Sequence, residues 1–241
     1  LKSLLKSQRF MDLKFRFHRI SPEVLSIEFE KISAADLSNI AEQLESRFSS
    51  IQDVVFLNGV ITLFSTELNL LIDELECFFG SMSTIFEPNF KTWYIPIWYN
   101  GLDLQLIAEQ KKISIDQIKE IHQKGEYTTI GYGFLPGFFY ASGVSESLDL
   151  PRRSSPRVRV PAQSVAFAAG LMAIYPFETS GGWNILGTTP YQFFDPDKNP
   201  PVIIKAGDRL RFYEIDESHF KSLQLIWETS SDREKILSHV C

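Results

Sequence analysis

The stretch from Ile130 to Pro190 constrains this chain more than any other. Its blocks are IGYGFLPGFFYASG, LPRRSSPRVRVPAQSV and AIYPFETSGGWNILGTTP, and it holds eight glycines and six prolines. Glycine permits φ > 0 and close backbone approach, and proline fixes φ, so a backbone this rich in both is being aimed rather than merely extended. Four arginines, Arg152, Arg153, Arg157 and Arg159, fall within eight consecutive residues of it. A ligand is expected to meet the chain here.

The rest of the chain bounds the function. Across 241 residues, apolar content is 44% and charged content 22%, ordinary for one large globular domain or two small ones. The net charge of -6 argues against nonspecific nucleic-acid binding, because no overall positive field would recruit phosphates. No apolar run approaches the length that spans a bilayer. The opening LKSLLKSQRF lacks a continuous apolar core and makes a poor signal peptide, and its first Leu suggests processing or an unusual start. Cys77 and Cys241 are too few for a disulfide framework, so two free thiols in a cytoplasmic protein are expected.

Periodicity then divides the chain. Met11 to His18 and Val24 to Glu30 alternate as half-buried strands on either side of Ser21-Pro22. Ser33 precedes a helical spacing of Leu37, Ile40, Ala41, Leu44 and Phe48, with Asp36 in the place of a capping box. Asn58-Gly59 between Asp53–Leu57 and Val60–Ser65 predicts a type I′ hairpin. Thr66 opens a second helix through Leu68, Leu71, Ile72, Leu75 and Phe79, stopped at Gly80. Strand, strand, helix, hairpin and helix make a small α+β domain over 1–88, with both helices on one face of the sheet. A linker is expected within 80–91. The second domain, 89–241, begins with a strand over Lys91–Trp98, where Pro96 suggests an edge. Helices follow over Leu102–Gln110 and from Ser114, whose partner Gln117 completes a capping box, to His122. Short strands with Gly/Pro turns come next, at Tyr127–Gly133, Ser164–Ala168, Leu171–Tyr175, Trp183–Leu186, Val202–Lys205 and Leu210–Ile215. They read as a barrel or a sandwich. A helix over 217–228 closes the pattern, with a polar tail that frays.

Several chemistries are excluded by motif. The chain has no P-loop, no G-x-S-x-G elbow and no dinucleotide fingerprint, and its four histidines are scattered without C-x-x-C or H-E-x-x-H, so no metal site is expected. What remains is anion binding by the arginine forks, which suit carboxylate or phosphate. Each arginine could equally be solvated, or hold a carboxyl group of its own domain. His122 could be a general acid or base, or a cation favoured by the C-terminal dipole of its helix. Glu178, the one carboxylate between Gly170 and Pro190, could be a base or balance an arginine. Tyr140, Tyr175 and Trp183 could line a pocket or fill the core.

The blocks GFLPGFFY, LPRRSSPRVRVPAQSV and IYPFETSGGWNILGTTP, in that order and preceded by His122 and Glu126-Tyr127, resemble the allophanate hydrolase subunit 1 family. That family includes a subunit of bacterial 5-oxoprolinase and the sporulation-kinase inhibitor KipI. The resemblance covers about residues 96 to 215 strongly, and the N-terminal part in layout and length. It implies a ferredoxin-like N-terminal domain and a cyclophilin-like β-barrel domain. It also implies partners, a homologous barrel subunit 2 and a LamB/YcsF-type subunit, which together open the 5-oxoproline lactam to glutamate at the expense of ATP. The chain would be inactive alone, and ATP would belong to the complex.

The chain departs from the family pattern. Gln163 stands in PAQSV where the family has Gly, Leu171 where it has Gln and Thr188 where it has Arg, and the segment after Tyr99-Asn100-Gly101 is shortened. A polar group and a positive charge are thus expected to be missing near the site. That motivates an alternative, a non-catalytic regulator that binds and inhibits a sensor histidine kinase.

Overall fold

The computed structural model describes residues 14–81, 90–198 and 200–230. The chain divides into two compact units, Leu1–Asn89 and Phe90–Cys241. The start of the first expected strand, most of the expected linker, and the polar tail with Cys241 lie outside the described residues.

In the first unit, β1 (Phe15–Ser21) and β2 (Val24–Phe29) are followed by α1 (Ala34–Arg47), β3 (Ile51–Leu57), β4 (Val60–Ser65) and α2 (Leu68–Ser81). The strands pair antiparallel in the order β1-β2-β4-β3. The crossover from β2 through α1 to β3 therefore straddles β4, a split βαβ arrangement. Alternation decides the faces: Leu25, Ile27, Phe29, Ile61 and Leu63 point to one side and pack with Leu37, Ile40 and Leu44 of α1 and Leu71, Leu75 and Phe78 of α2. Asn58 and Gly59 take φ of 49° and 83°, the two positive values that the type I′ turn needs. Ser33 caps α1 by accepting the Asp36 N–H at 3.1 Å.

The second unit opens with β5 (Thr92–Ile97), α3 (Leu104–Lys111) and α4 (Ile115–Lys124). The capping box forms in both directions, Ser114 with the Gln117 N–H and Gln117 with the Ser114 N–H. The strands then run β6 (Tyr127–Tyr132), β7 (Phe139–Ser142), β8 (Arg157–Val160), β9 (Ser164–Ala168), β10 (Leu171–Ile174), β11 (Thr179–Gly181), β12 (Asn184–Thr188) and β13 (Arg209–Glu214), before α5 (Glu217–Thr229). The pairing path is β5-β13-β6-β7-β10-β9-β12, antiparallel except for β5 with β13. β8 and β11 form a separate ribbon. Pro96 lies on an end strand of this path, as its missing N–H predicts.

Two expectations change. The sheet is not a closed barrel: its end strands are not laddered together, and Trp98 and Thr188 exchange two backbone hydrogen bonds of 2.9 Å at a single bridge. The run Val202–Lys205 is no strand. Val202 bridges Phe194 alone, because Pro200 and Pro201 remove two donors just before it.

All five residues of β9 are buried. Val165 and Phe167 face the main core with Ile97, Ile107, Ile118 and Leu210. Ala166 and Ala168 face the other way, with Ala173 of β10. Residues of the arm between β7 and β9 and of the loop around β11 enclose a hollow over the aromatic members of the cluster that holds these alanines.

Gln163 has φ of 58°. Its backbone ties the turn before β9 by donating to the Tyr175 carbonyl at 2.7 Å and accepting from the Thr189 N–H at 3.1 Å. A side chain there is strained against its own carbonyl. Gln163→Gly is expected to raise stability by roughly 0.5–1 kcal/mol, read as a higher urea midpoint at unchanged slope.

Candidate functional site

The hollow is a cavity of about 280 Å³. Its floor is Phe138, Tyr175 and Trp183, three members of the apolar cluster that also holds Ala166, Ala168 and Ala173. Its walls are Tyr140 of β7, Arg152, Arg153 and Pro156 of the arm, and Ser180 to Trp183 of the loop around β11. Exposed Phe134 stands at the mouth. Glycine is required here for close approach. A Cβ at Gly181 would collide with the Tyr175 hydroxyl.

The arginine-rich arm divides sharply in role. Arg153 Nη1 donates to Asp103 Oδ1 at 2.8 Å, and Arg157 grips the same carboxylate with both nitrogens of its fork, Nη1 to Oδ2 at 2.9 Å and Nη2 to Oδ1 at 2.6 Å. Asp103 is 1% exposed. It accepts a fourth hydrogen bond, from the Ile185 N–H at 2.8 Å. Arg157 is thus structural, and Arg153 is half wall, half anchor. Its Nε is buried and without a partner. Arg159 is a surface residue paired loosely with Glu178 at 3.6 Å, both largely exposed. Neither lines the cavity. Arg152 is the remaining cation. It lines the cavity with its guanidinium 5.8 Å from the centre of the Trp183 ring.

The aromatic residues expected at the site are brought together. Tyr140 and Trp183 lie 5.9 Å apart between ring centres, and Phe138 packs edge-on against Tyr175 at 5.2 Å. Burial raises the pKa of both Tyr140 and Tyr175 above the ordinary phenol value, so both stay protonated. Tyr175 is hydrogen-bonded by the Trp183 backbone. Every polar side chain in the lining, Arg152, Arg153, Tyr140, Tyr175 and Ser180, can donate a hydrogen bond, and no carboxylate lines the cavity among the described residues. The arrangement suits a small, flat, acceptor-rich anion.

His122 is not part of this site. It is 1% exposed, packed between Tyr127 and Phe212 and bonded through Nδ1 to the Tyr99 hydroxyl at 2.7 Å. The dipole-favoured cation expected at the end of α4 is overruled by burial, which pushes its pKa down to about 3. A ring so enclosed has no face to offer a substrate. Asp103, by contrast, carries no motif that marks it in the sequence. It lies about fifty residues from the arginines it holds.

The departures from the family pattern fall differently. Leu171 packs against the apolar cluster and does not line the cavity. Thr188 donates to Asn100 Oδ1 at 3.1 Å and is not in the cavity lining. Among the described residues, no group of side chains could hold a metal ion, and no helix is long and apolar enough to cross a membrane.

Residues 15–204 match the family described as carboxyltransferase domain, subdomain C and D. The chain is 38% identical over 138 residues to a 5-oxoprolinase subunit of Bacillus subtilis (strain 168), covering 56% of this chain and 58% of that one. It is 32% identical over 178 residues to the corresponding 5-oxoprolinase subunit of Escherichia coli O157:H7, covering 72% and 82%. Among solved structures, TTHA0988 superposes with a TM-score of 0.70 at 31% identity, over 80% of this chain and 40% of that one. The match thus spans a little over half of the Bacillus relative's length and less than half of TTHA0988.

Proposed function

The chain belongs to the carboxyltransferase domain, subdomain C and D family, as a relative of one 5-oxoprolinase subunit, and from that premise we propose that it is itself a subunit of an ATP-dependent 5-oxoprolinase. The observation that carries this reading is the donor-lined cavity with Arg152 unspent at its wall. At about 280 Å³ it falls just below the roughly 300–1,000 Å³ of drug-sized sites. A five-membered lactam bearing one carboxylate is of that scale. Arg152 would take the carboxylate, Trp183 and Tyr140 would hold the ring, and the Tyr175 hydroxyl would donate to the lactam oxygen.

The same lining explains why the chain would not act alone. An amide is a poor electrophile, and phosphorylating its oxygen creates a leaving group. ATP supplies that chemistry in the complex. The residues here do not fit the nucleotide: the cavity is small, and among the described residues no carboxylate lines it to help hold the magnesium that accompanies a triphosphate. Nor is a general base at hand among the described residues, since Asp103 is committed to two arginines, Glu178 lies outside the lining and His122 is enclosed. This reading assigns the base and ATP to partners, a homologous subunit 2 and a LamB/YcsF-type subunit. It keeps the chain in the cytoplasm, the domain boundary at 88/89, a ferredoxin-like name for the split βαβ unit, and a cyclophilin-like name for the second. The kinase-inhibitor alternative rests on Leu171 and Thr188. Neither removes the cation from the cavity, so no observation favours it.

The test is a reconstituted complex carrying Arg152→Ala. The KM for 5-oxoproline is expected to rise about tenfold, the loss of one charge-assisted contact, with the KM for ATP unchanged. An unchanged KM for 5-oxoproline overturns the assignment.

A further inference from the structure

Asp103 occupies the N-cap of α3, where an aspartate ordinarily accepts an N–H of the first helical turn. It makes no such bond. Its carboxylate is turned away from its own helix, onto Arg153, Arg157 and the Ile185 N–H. The backbone is built to deliver it there. Gly101 donates to the Leu186 carbonyl at 3.1 Å, and a Cβ on Gly101 would collide with the Ile185 and Leu186 backbone. The Asp103 N–H donates to the Ile185 carbonyl at 3.3 Å. The carboxylate thus joins the start of α3, strand β12 and the arginine arm at one buried point. Of its two arginine partners, only Arg153 also lines the cavity.

Resting on the 5-oxoprolinase reading, we propose that Asp103 is the positioning residue of the cavity. By holding Arg153 through Nη1 and Arg157 through its fork, it pins the arm over the hollow. That fixes the wall on which the neighbouring Arg152 stands. It also engages Arg153 through Nη1, while the buried Nε of Arg153 has no partner. The ligand it selects for is a small ring acid with a single carboxylate. The carboxylate is read by Arg152 and Arg153, and the ring by the aromatic floor.

The prediction separates aiming from mere support. Affinities of the full chain for 5-oxoproline and for 2-pyrrolidinone, the same lactam ring without the carboxylate, are measured by calorimetry for wild type, Arg152→Ala and Asp103→Asn. In Asp103→Asn the preference for the acid over the neutral lactam is expected to fall about tenfold while pyrrolidinone affinity holds. A residue that only supports the fold would weaken both ligands together, and that result overturns the proposal. So does a wild-type preference in Asp103→Asn. If Arg152→Ala keeps the wild-type preference, the 5-oxoproline site itself is wrong. If it loses the preference while Asp103→Asn keeps it, the site stands and only the positioning role falls. Should Asp103→Asn not fold, Asp103→Asn/Arg157→Met removes one cation with the anion and is read by the same ratio.

Discussion

Asp103→Ala is expected to lower the unfolding free energy of the C-terminal unit by about 3–5 kcal/mol. The size follows from what is left behind. Arg153 and Arg157 have side chains 28% and 20% exposed. Without the carboxylate, two like charges face each other with little water to screen them. The Ile185 N–H, buried in β12, also loses its acceptor. The reciprocal change should be milder. Arg157→Met leaves Arg153 on Asp103 and replaces a cation with an apolar chain, so it should cost less than half as much. Urea unfolding at constant slope reads both. A loss below about 1 kcal/mol for Asp103→Ala would mean that water already screens the cluster. The surface pairs offer a contrast: Arg159 with Glu178 is mostly solvated, and cutting it should move the midpoint hardly at all.

That cluster also marks the limit of what the sequence discloses. Local rules are readable wherever the interaction is local. Asn58-Gly59, the Ser114–Gln117 box and the alternation of Val24 to Phe29 each encode a structure within a few residues. The arm is readable as a site because its composition is unusual. Its partition is not. Which arginine is free depends on a lone aspartate in Gly101-Leu102-Asp103-Leu104, brought to the arm by tertiary approach. The ribbon strands β8 and β11 escape for a related reason. They are short, and although Arg157 to Val160 alternates in sequence, Val158 and Arg159 are both exposed, so the alternation marks no buried face. β9 is buried on both faces, so no alternation tells its two sides apart.

The position of His122 along α4 says nothing of what folds over it, so its burial is invisible in the sequence, and the acid side of the stability curve should expose it. In the native state its pKa is about 3, while in the unfolded chain it returns to about 6.5. The native state therefore refuses a proton that the unfolded state accepts. Stability from this residue is full above about pH 6.5 and is lost as pH falls toward 3. The slope is about 1.4 kcal/mol per pH unit, or about 2 kcal/mol between pH 7 and pH 5. Glu126 should add its own loss only lower, because its pKa is held below the ordinary 4.5, first by the hydrogen bond from Arg211. The two windows can thus be told apart. Either tautomer of His122 leaves Nε2 without a partner, so the ring is already a costly occupant of the core. His122→Phe keeps the ring's packing on Tyr127 and Phe212 and takes only the hydrogen-bond partner from the Tyr99 hydroxyl. It is expected to flatten the decline between pH 7 and pH 5. If the slope survives in His122→Phe, the proton is taken up elsewhere. If it vanishes while turnover of the reconstituted complex at neutral pH is retained, His122 is packing and not the general base.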